Sequence, residues 1–323
     1  MGSSTASIPT PDELACAAAR LRGVAHRTPL LSLASMAHGR CRELWLKPEC
    51  LQRAGSFKIR GAYNRIAMLS DRERRQGVVT FSSGNHGQGV ALAAKLLACH
   101  ATIVVPEDVL APKADAIRGY GARLLKAGHT SEERKRVALD LVAREGRVLV
   151  PPFDDPAIIA GQSTVAQEIL ADCSELSVLL VPVGGGGLLA GSALAVAAAG
   201  RRVRVIGVEP ESANCMTAAL RAGAVVSVPA STSIADGLRP TRAGELTLGV
   251  AQANRVETVL VSEAAIKDAM RWLLWRAKLV VEPSGAVPIA ALLEGKLDLQ
   301  DECVAAILSG GNVDPSLLRD VIG

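Results

Sequence analysis

A two-domain α/β protein, its parallel or mixed sheets covered by helices on both faces, is the fold this sequence predicts. Three observations predict it. Short apolar runs of strand length alternate with longer amphipathic stretches over most of the chain, the rhythm of βαβ units. Of the residues 49% are hydrophobic but only 2% aromatic, so Ala, Val and Leu must fill the core, which suits helices lying close on a buried sheet. A length of 323 residues also exceeds what one core normally organises.

Thr10 opens the first helix: it can cap, Pro11 suits the first helical position, and Glu13 completes a capping box. A strand follows around residues 43–47. Strand-like runs recur at 78–81, 102–105, 148–150, 178–183, 203–209, 256–261 and 304–308. Helical patterns at 87–97, 131–145, 156–171, 188–199 and 263–277 separate most of them. With no repeat or long polar linker, a domain boundary must fall at ordinary loops, and Gly77 and Pro151-Pro152 are natural crossing points. The expected division is a large domain of residues 1–76 and 153–323 and a small mobile domain of residues 77–152. Little chain follows the last strand, so no appended regulatory domain is expected.

A net charge of +4, with cations interleaved among anions, gives neither a basic stripe nor a stacking platform, which argues against nucleic acid. No apolar stretch reaches membrane-spanning length, and the first eleven residues lack the basic-then-apolar order of a signal peptide. The seven cysteines (Cys16, Cys41, Cys50, Cys99, Cys173, Cys215 and Cys303) are scattered without C-x-x-C spacing. Reduced thiols in a cytoplasmic protein are expected.

Four segments carry chemistry. In Gly55-Ser56-Phe57-Lys58-Ile59-Arg60-Gly61-Ala62, one lysine follows a flexible loop and precedes a helical pattern. A Schiff-base lysine needs partial desolvation to hold enough neutral amine, and Phe57 and Ile59 can supply the apolar wall. Taken alone, such a lysine is more often a surface group with a buried stem. In Ser82-Ser83-Gly84-Asn85-His86-Gly87-Gln88-Gly89, polar side chains and free N–H groups at a strand-to-helix turn suit a carboxylate. A cap for the next helix needs fewer of them. Gly184-Gly185-Gly186-Gly187, between a buried strand and the helix from Leu188, lets backbone amides turn around an anion, best a phosphate. The same loop, read as Gly185-x-Gly187-x-x-Ala190 with Glu209 ending the next strand, also fits a dinucleotide fingerprint, which keeps an NAD(P)-dependent dehydrogenase as a rival. That fingerprint normally opens its domain, and it leaves Lys58 and residues 82–89 without a task. Ser309-Gly310-Gly311-Asn312-Val313-Asp314 follows the last strand and can share a rim with the glycines.

In this order the four segments resemble the serine/threonine dehydratase and serine racemase family of pyridoxal-phosphate enzymes, of the tryptophan-synthase-β-like fold (fold type II). The likeness runs from His26-Arg27-Thr28-Pro29-Leu30 to Asp314. It includes Ile158-Ile159-Ala160-Gly161-Gln162, Ser233-Ile234-Ala235-Asp236-Gly237 and Val281-Glu282-Pro283-Ser284-Gly285. The resemblance implies that Lys58 holds pyridoxal 5′-phosphate and acts as base at Cα, with Ser83 facing it across the substrate. It implies Phe57 and Asn85 at the cofactor ring, Gly184, Gly185, Gly186, Gly187 and Leu188 around the phosphate, and Ser309 at the pyridine nitrogen. Ser82, Ser83, Asn85, His86 and Arg134 would hold the substrate. A neutral serine at the ring nitrogen weakens the electron sink and favours prompt loss of a β-hydroxyl, so the implied reaction is dehydration and deamination of L-threonine or L-serine to 2-oxobutyrate or pyruvate. Serine racemase and hydroxyaspartate dehydratase are the near alternatives. The resemblance also implies a homodimer or homotetramer. Racemase-like members bind Mg²⁺ or Ca²⁺ at the positions of Glu209, Ala213 and Cys215; here Cys215 replaces a hard oxygen ligand that such cations prefer. Pro240 stands where racemases offer a serine, and both changes favour dehydratase.

Overall fold

The computed structural model describes residues 7–33, 39–82, 84–109 and 111–323. Strands β1 (Leu31–Ser32), β2 (Cys41–Pro48), β7 (Val178–Pro182), β8 (Arg204–Pro210), β9 (Glu257–Val261) and β10 (Leu299–Leu308) form one sheet in the order β1-β2-β10-β7-β8-β9. Only β1 runs antiparallel to its neighbour. Strands β3 (Val78–Phe81), β4 (Ala101–Val105), β5 (Arg123–Lys126) and β6 (Val148–Leu149) form a second, wholly parallel sheet in the order β5-β4-β3-β6. The helices are α1 (Pro11–Leu21), α2 (Lys58–Ala67), α3 (Asp71–Gln76), α4 (Asn85–Leu96), α5 (Ala111–Gly119), α6 (Ser131–Glu145) and α7 (Pro156–Asp172), then α8 (Gly187–Ala198), α9 (Cys215–Ala222), α10 (Glu245–Ala253), α11 (Glu263–Trp272), α12 (Pro283–Leu293) and α13 (Pro315–Ile322).

Strand alternation explains why both faces are covered. Val178 and Leu180 of β7 join Val304, Ala306 and Leu308 of β10 in a core closed by α11 and α12. Leu179 and Val181 point the other way, with Ala305 and Ile307, into a core closed by α7, α8 and α10. The small sheet is divided likewise, Val78 and Ile103 facing one core and Val79 and Val104 another. The α/β class with parallel and mixed sheets is therefore as expected. The capping box at Thr10 forms as expected, and α11 continues as a π turn at Leu273–Ala277. Strand β5 was not expected: its two leucines lie between charged residues, too short a run for alternation to register. Among the described residues no helix is long and apolar enough to cross a membrane.

Beneath the first turn of α2 lies a buried cluster of four charges. Arg60, 1% exposed, clamps Glu49 through Nε and Nη2, each at 2.8 Å, and Glu168 of α7 through Nη1 at 2.7 Å and Nη2 at 3.0 Å. Lys47, fully buried at the end of β2, reaches Glu168 at 2.6 Å and the Thr28 carbonyl at 2.6 Å. Burial opposes the charge on Glu49, yet the Arg60 guanidinium holds its carboxyl below the usual range. Two cations and two anions balance, and every hydrogen-bonding direction of Arg60 is used.

Removing one member strands the others. Arg60→Met is expected to lower stability by about 3–5 kcal/mol, measured by urea unfolding, because it leaves Glu49 buried without its main partner. A loss under about 1 kcal/mol would show that water reaches the cluster and that it carries little.

Candidate active site

Lys58 is the first residue of α2, and three loops meet it. The strand-to-helix turn at 82–89 arrives because Gly89 lets α4 lie on α2: a Cβ there would stand 3.0 Å from the Lys58 carbonyl carbon. The loop after β10 is laced to the residues before the lysine. Phe57 N donates to Ser309 O at 3.1 Å, Gly311 N to Gly55 O at 2.9 Å, and Ser56 bridges Gly310. From the third side Pro152 presents its carbonyl, which accepts from Lys58 Nζ at 2.9 Å, while the ammonium lies 5.1 Å from the Phe57 ring centre. Desolvation pushes the Lys58 ammonium down to about 8, against the pull of Glu282. A lysine so lowered is in part a neutral amine near pH 8.

Asn85 opens α4. Its Nδ2 donates to Glu282 Oε1 at 2.6 Å and its Oδ1 accepts from Asn312 Nδ2 at 2.8 Å, so the amide is held in one orientation with one N–H left over. Burial, with Asp236 nearby, raises the Glu282 carboxyl to about 7; Asn85 and Lys113 pull the other way. His86, 3% exposed, shares a proton between Nε2 and Val150 O at 3.0 Å, and its Nδ1 is buried without a partner. Burial and the Lys58 charge lower it to about 3, so the ring is neutral and Nδ1 is an acceptor. Ser82 Oγ accepts from Gly84 N at 3.3 Å. Gly84 caps α4 without a side chain, leaving first-turn N–H groups for an anion. Ser83 lies outside the described residues.

The tetraglycine joins β7 to α8. Gly186 has φ +96°, a left-handed turn that glycine adopts without strain, and no side chain caps the helix that starts at Gly187. Phe153 lies against Gly185 and Gly187, so the residue next to Pro152 touches this loop while Pro152 touches the lysine. Leu188 and Ser309 are buried, at 4% each. An uncapped helix start, a partly neutral amine and the orphaned Ser56 Oγ and His86 Nδ1 fit a cofactor carrying a phosphate and an aldehyde.

Other expected residues lie elsewhere in the fold. Arg134 sits in the first turn of α6, donating to His129 O at 3.0 Å and Ser131 Oγ at 3.1 Å; none of its described hydrogen bonds reaches Lys58 or the glycines. Glu209 is fully buried, accepting from Met216 N at 2.9 Å, Thr217 N at 2.8 Å and Thr217 Oγ1 at 2.5 Å. It holds the start of α9 and is not free for a ribose, which removes the acidic partner of the dinucleotide reading. Nor does the set fit Mg²⁺ or Ca²⁺. Cys215 Sγ donates to Gly184 O at 3.4 Å, burial pushes its thiol up to about 12, and Ala213 offers at most a carbonyl. Among the described residues no cluster of three or more His, Cys, Asp or Glu is arranged for a metal. Reading the sequence missed Glu282, Asn312 and Phe153. Glu282 and Asn312 stood in quoted segments without a role, and Phe153 follows the Pro-Pro crossing point.

Residues 21–310 match the family model described as pyridoxal-phosphate dependent enzyme. The chain is 43% identical over 302 residues to L-threonine ammonia-lyase of Thermotoga maritima, covering 94% of this chain and 75% of that one. It is 40% identical to L-threo-3-hydroxyaspartate ammonia-lyase of Saccharomyces cerevisiae, covering 95% and 94%. Among solved structures, maize serine racemase superposes with a TM-score of 0.93 at 37% identity, covering 97% of each chain.

The lowered amine sets a pH dependence. Borohydride-trapped pyridoxal phosphate on Lys58 should form faster as pH rises and level off above about 8, because only the deprotonated amine attacks. Glu282→Gln should move the midpoint down by removing an anion that favours the ammonium. A midpoint near that of an ordinary lysine, about 10.4, would refute the desolvated amine.

Proposed function

The chain belongs to the pyridoxal-phosphate dependent enzyme family, and on that premise we propose that it is an ammonia-lyase converting L-threonine or L-serine to 2-oxobutyrate or pyruvate plus ammonia. One observation carries this reading: a lysine with weakened basicity is bound at the meeting point of the 82–89 turn, the 309–311 loop and the segment that touches the tetraglycine. The cofactor, when bound, supplies an electron sink for charge that develops at the substrate Cα. Lys58 holds it and, once freed, takes the Cα proton at Nζ; its lowered basicity supports that exchange near neutral pH. The first-turn N–H groups of α4 receive the substrate carboxylate, with Ser82 and His86 shaping the pocket. Neutral His86 presents an acceptor, Nδ1, and so orients a donor. Asn85, held by Glu282 and Asn312, has one N–H left that would serve the cofactor ring, and Ser309 would meet the ring nitrogen without charging it. Phe57 packs beside the amine, and Gly184–Leu188 take the phosphate, as the uncapped start of α8 supports. On the family resemblance alone we assign Ser83 to the substrate face opposite Lys58 and Arg134 to the substrate carboxylate; no described hydrogen bond of Arg134 supports the latter.

Residues 77–152 form a small domain that closes on the rest, 1–76 and 153–323. The ion pair from Lys113 Nζ on α5 to Asp236 Oδ2, 2.7 Å across the two parts, supports closure, which excludes water from the site. Seven free cysteines support a cytoplasmic setting, and the exposed Leu51, Trp275 and Val280 support a homodimer or homotetramer. The yeast relative favours L-threo-3-hydroxyaspartate as the second substrate reading, and the maize structure favours serine racemisation as a side activity.

A panel of L-threonine, L-serine and L-threo-3-hydroxyaspartate, followed as 2-oxo acid release with and without Mg²⁺, tests this. We expect turnover of threonine or serine, no dependence on Mg²⁺, and loss of both activity and the visible absorption band in Lys58→Ala. D-Serine from L-serine without 2-oxo acid would replace the lyase by a racemase, and turnover of hydroxyaspartate alone would replace the substrate.

A further inference from the structure

We propose that Asp154 is a positioning residue for the anion grip of the glycine loop, acting through the start of α10. The inference rests on the reading that residues 184–188 hold the cofactor's phosphate. Helix α10 has no side-chain cap of its own, since Gly244 occupies that position. Asp154, some ninety residues earlier, supplies one. Its Oδ2 accepts from Glu245 N at 3.0 Å, and its Oδ1 accepts from Leu246 N at 3.0 Å and Thr247 N at 3.3 Å. A carboxylate on three N–H groups at a helix start is favoured by hydrogen bonding and by the helix dipole together.

What Asp154 fixes is Thr247, which is fully buried. Thr247 Oγ1 donates to Gly185 O at 2.8 Å, and Gly244 N donates to the same oxygen at 3.2 Å. The peptide joining Gly185 to Gly186 is planar and trans, so drawing its carbonyl towards α10 turns its N–H the opposite way, off α10. Thr247 also lies against Gly186, where a Cβ would meet Met216 Cε at 2.5 Å and Thr247 Oγ1 at 2.7 Å, so no side chain fits at that position. The neighbours of Asp154 hold the other parts. Phe153 lies against Gly185 and Gly187, Pro152 O takes the Lys58 ammonium, and Asp155 caps α7 while pairing with Arg65 at 2.9 Å. The segment 152–155 thus ties the amine to the loop through consecutive residues, with Asp154 as the member that sets which way the Gly185 peptide faces.

The test compares pyridoxal 5′-phosphate with pyridoxal, which lacks the phosphate, on protein resolved from its cofactor, by absorbance titration of the two dissociation constants. Thr247→Val and Asp154→Ala are expected to weaken binding of the phosphate form by about tenfold or more while leaving pyridoxal nearly unchanged. Thr247→Ser keeps the hydroxyl and should retain the preference; Asp154→Asn, which keeps one acceptor oxygen, should fall between. A general loosening of the fold would weaken both ligands alike, and that result, or an intact phosphate preference in Thr247→Val, overturns the proposal while the phosphate assignment stands. If the unaltered protein bound both ligands equally, the phosphate assignment itself would fall, and the proposal with it.

Discussion

The buried quartet of Lys47, Glu49, Arg60 and Glu168 is the constraint on which the rest of this structure depends. It fastens β2, the turn after it, α2 and α7 into one piece, and Lys58 sits at the start of the helix that contains Arg60. Two cations two residues apart on that helix receive opposite treatment. Arg60 is given carboxylates on every donor and stays charged. Lys58 is given a neutral carbonyl and a carboxyl that is itself pushed towards its neutral form. Burial keeps an amine less basic while the scaffold holds its surroundings in place, and the neighbouring ion cluster, with the apolar packing of Ile59, Ala62 and Ile66, anchors α2.

Geometry then follows from parallel sheets. Loops leaving the carboxyl ends of parallel strands share a rim, and the chemistry-bearing segments are such loops: 82–89 after β3, 184–187 after β7, 309–312 after β10. Since β3 belongs to the small sheet and β7 and β10 to the large one, the site draws on both, and the contacts of Gly89 with Lys58 and of Asn85 with Glu282 are among those that join them. The segment 152–155 crosses back from the small sheet and touches the lysine, the glycines, α10 and α7 in turn.

Much of this was legible in the sequence, and for identifiable reasons. Strands largely buried on both faces read as unbroken apolar runs, so β3, β4, β7, β8 and β10 were visible, whereas β5, with Arg123 and Lys126 at its ends, was not. Glycines next to a buried strand signal close approach, and the tetraglycine did so without help. Residues that act by holding another residue leave no such trace. Thr247 and Asp154 are ordinary polar residues far apart in sequence whose partners are backbone atoms, and spacing encodes no long-range capping. Glu209 shows the converse error. A carboxylate at a strand end reads as a ligand for ribose or metal, yet its oxygens are taken by three donors from the first turn of α9.

The electrostatics of the site argue for orientation over charge. Among the described polar side chains of the site, His86 is held neutral by burial, Ser309 and Asn85 carry no charge, and the Glu282 carboxyl is raised to about 7. Such groups stabilise little net charge, but their hydrogen bonds are directional and interlocked: Asn312 fixes Asn85, and Asn85 fixes one oxygen of Glu282. In the proposed reaction this matters because Ser309 would leave the cofactor's ring nitrogen uncharged, and the weaker electron sink supplied there would put more weight on how the protein aligns the substrate. A leaving group on the adjacent carbon must then be aligned when the proton departs, and alignment is what an interlocked hydrogen-bond network provides. On the proposed reading such a site would suit elimination, in which the Cα proton and the leaving group depart from one aligned geometry.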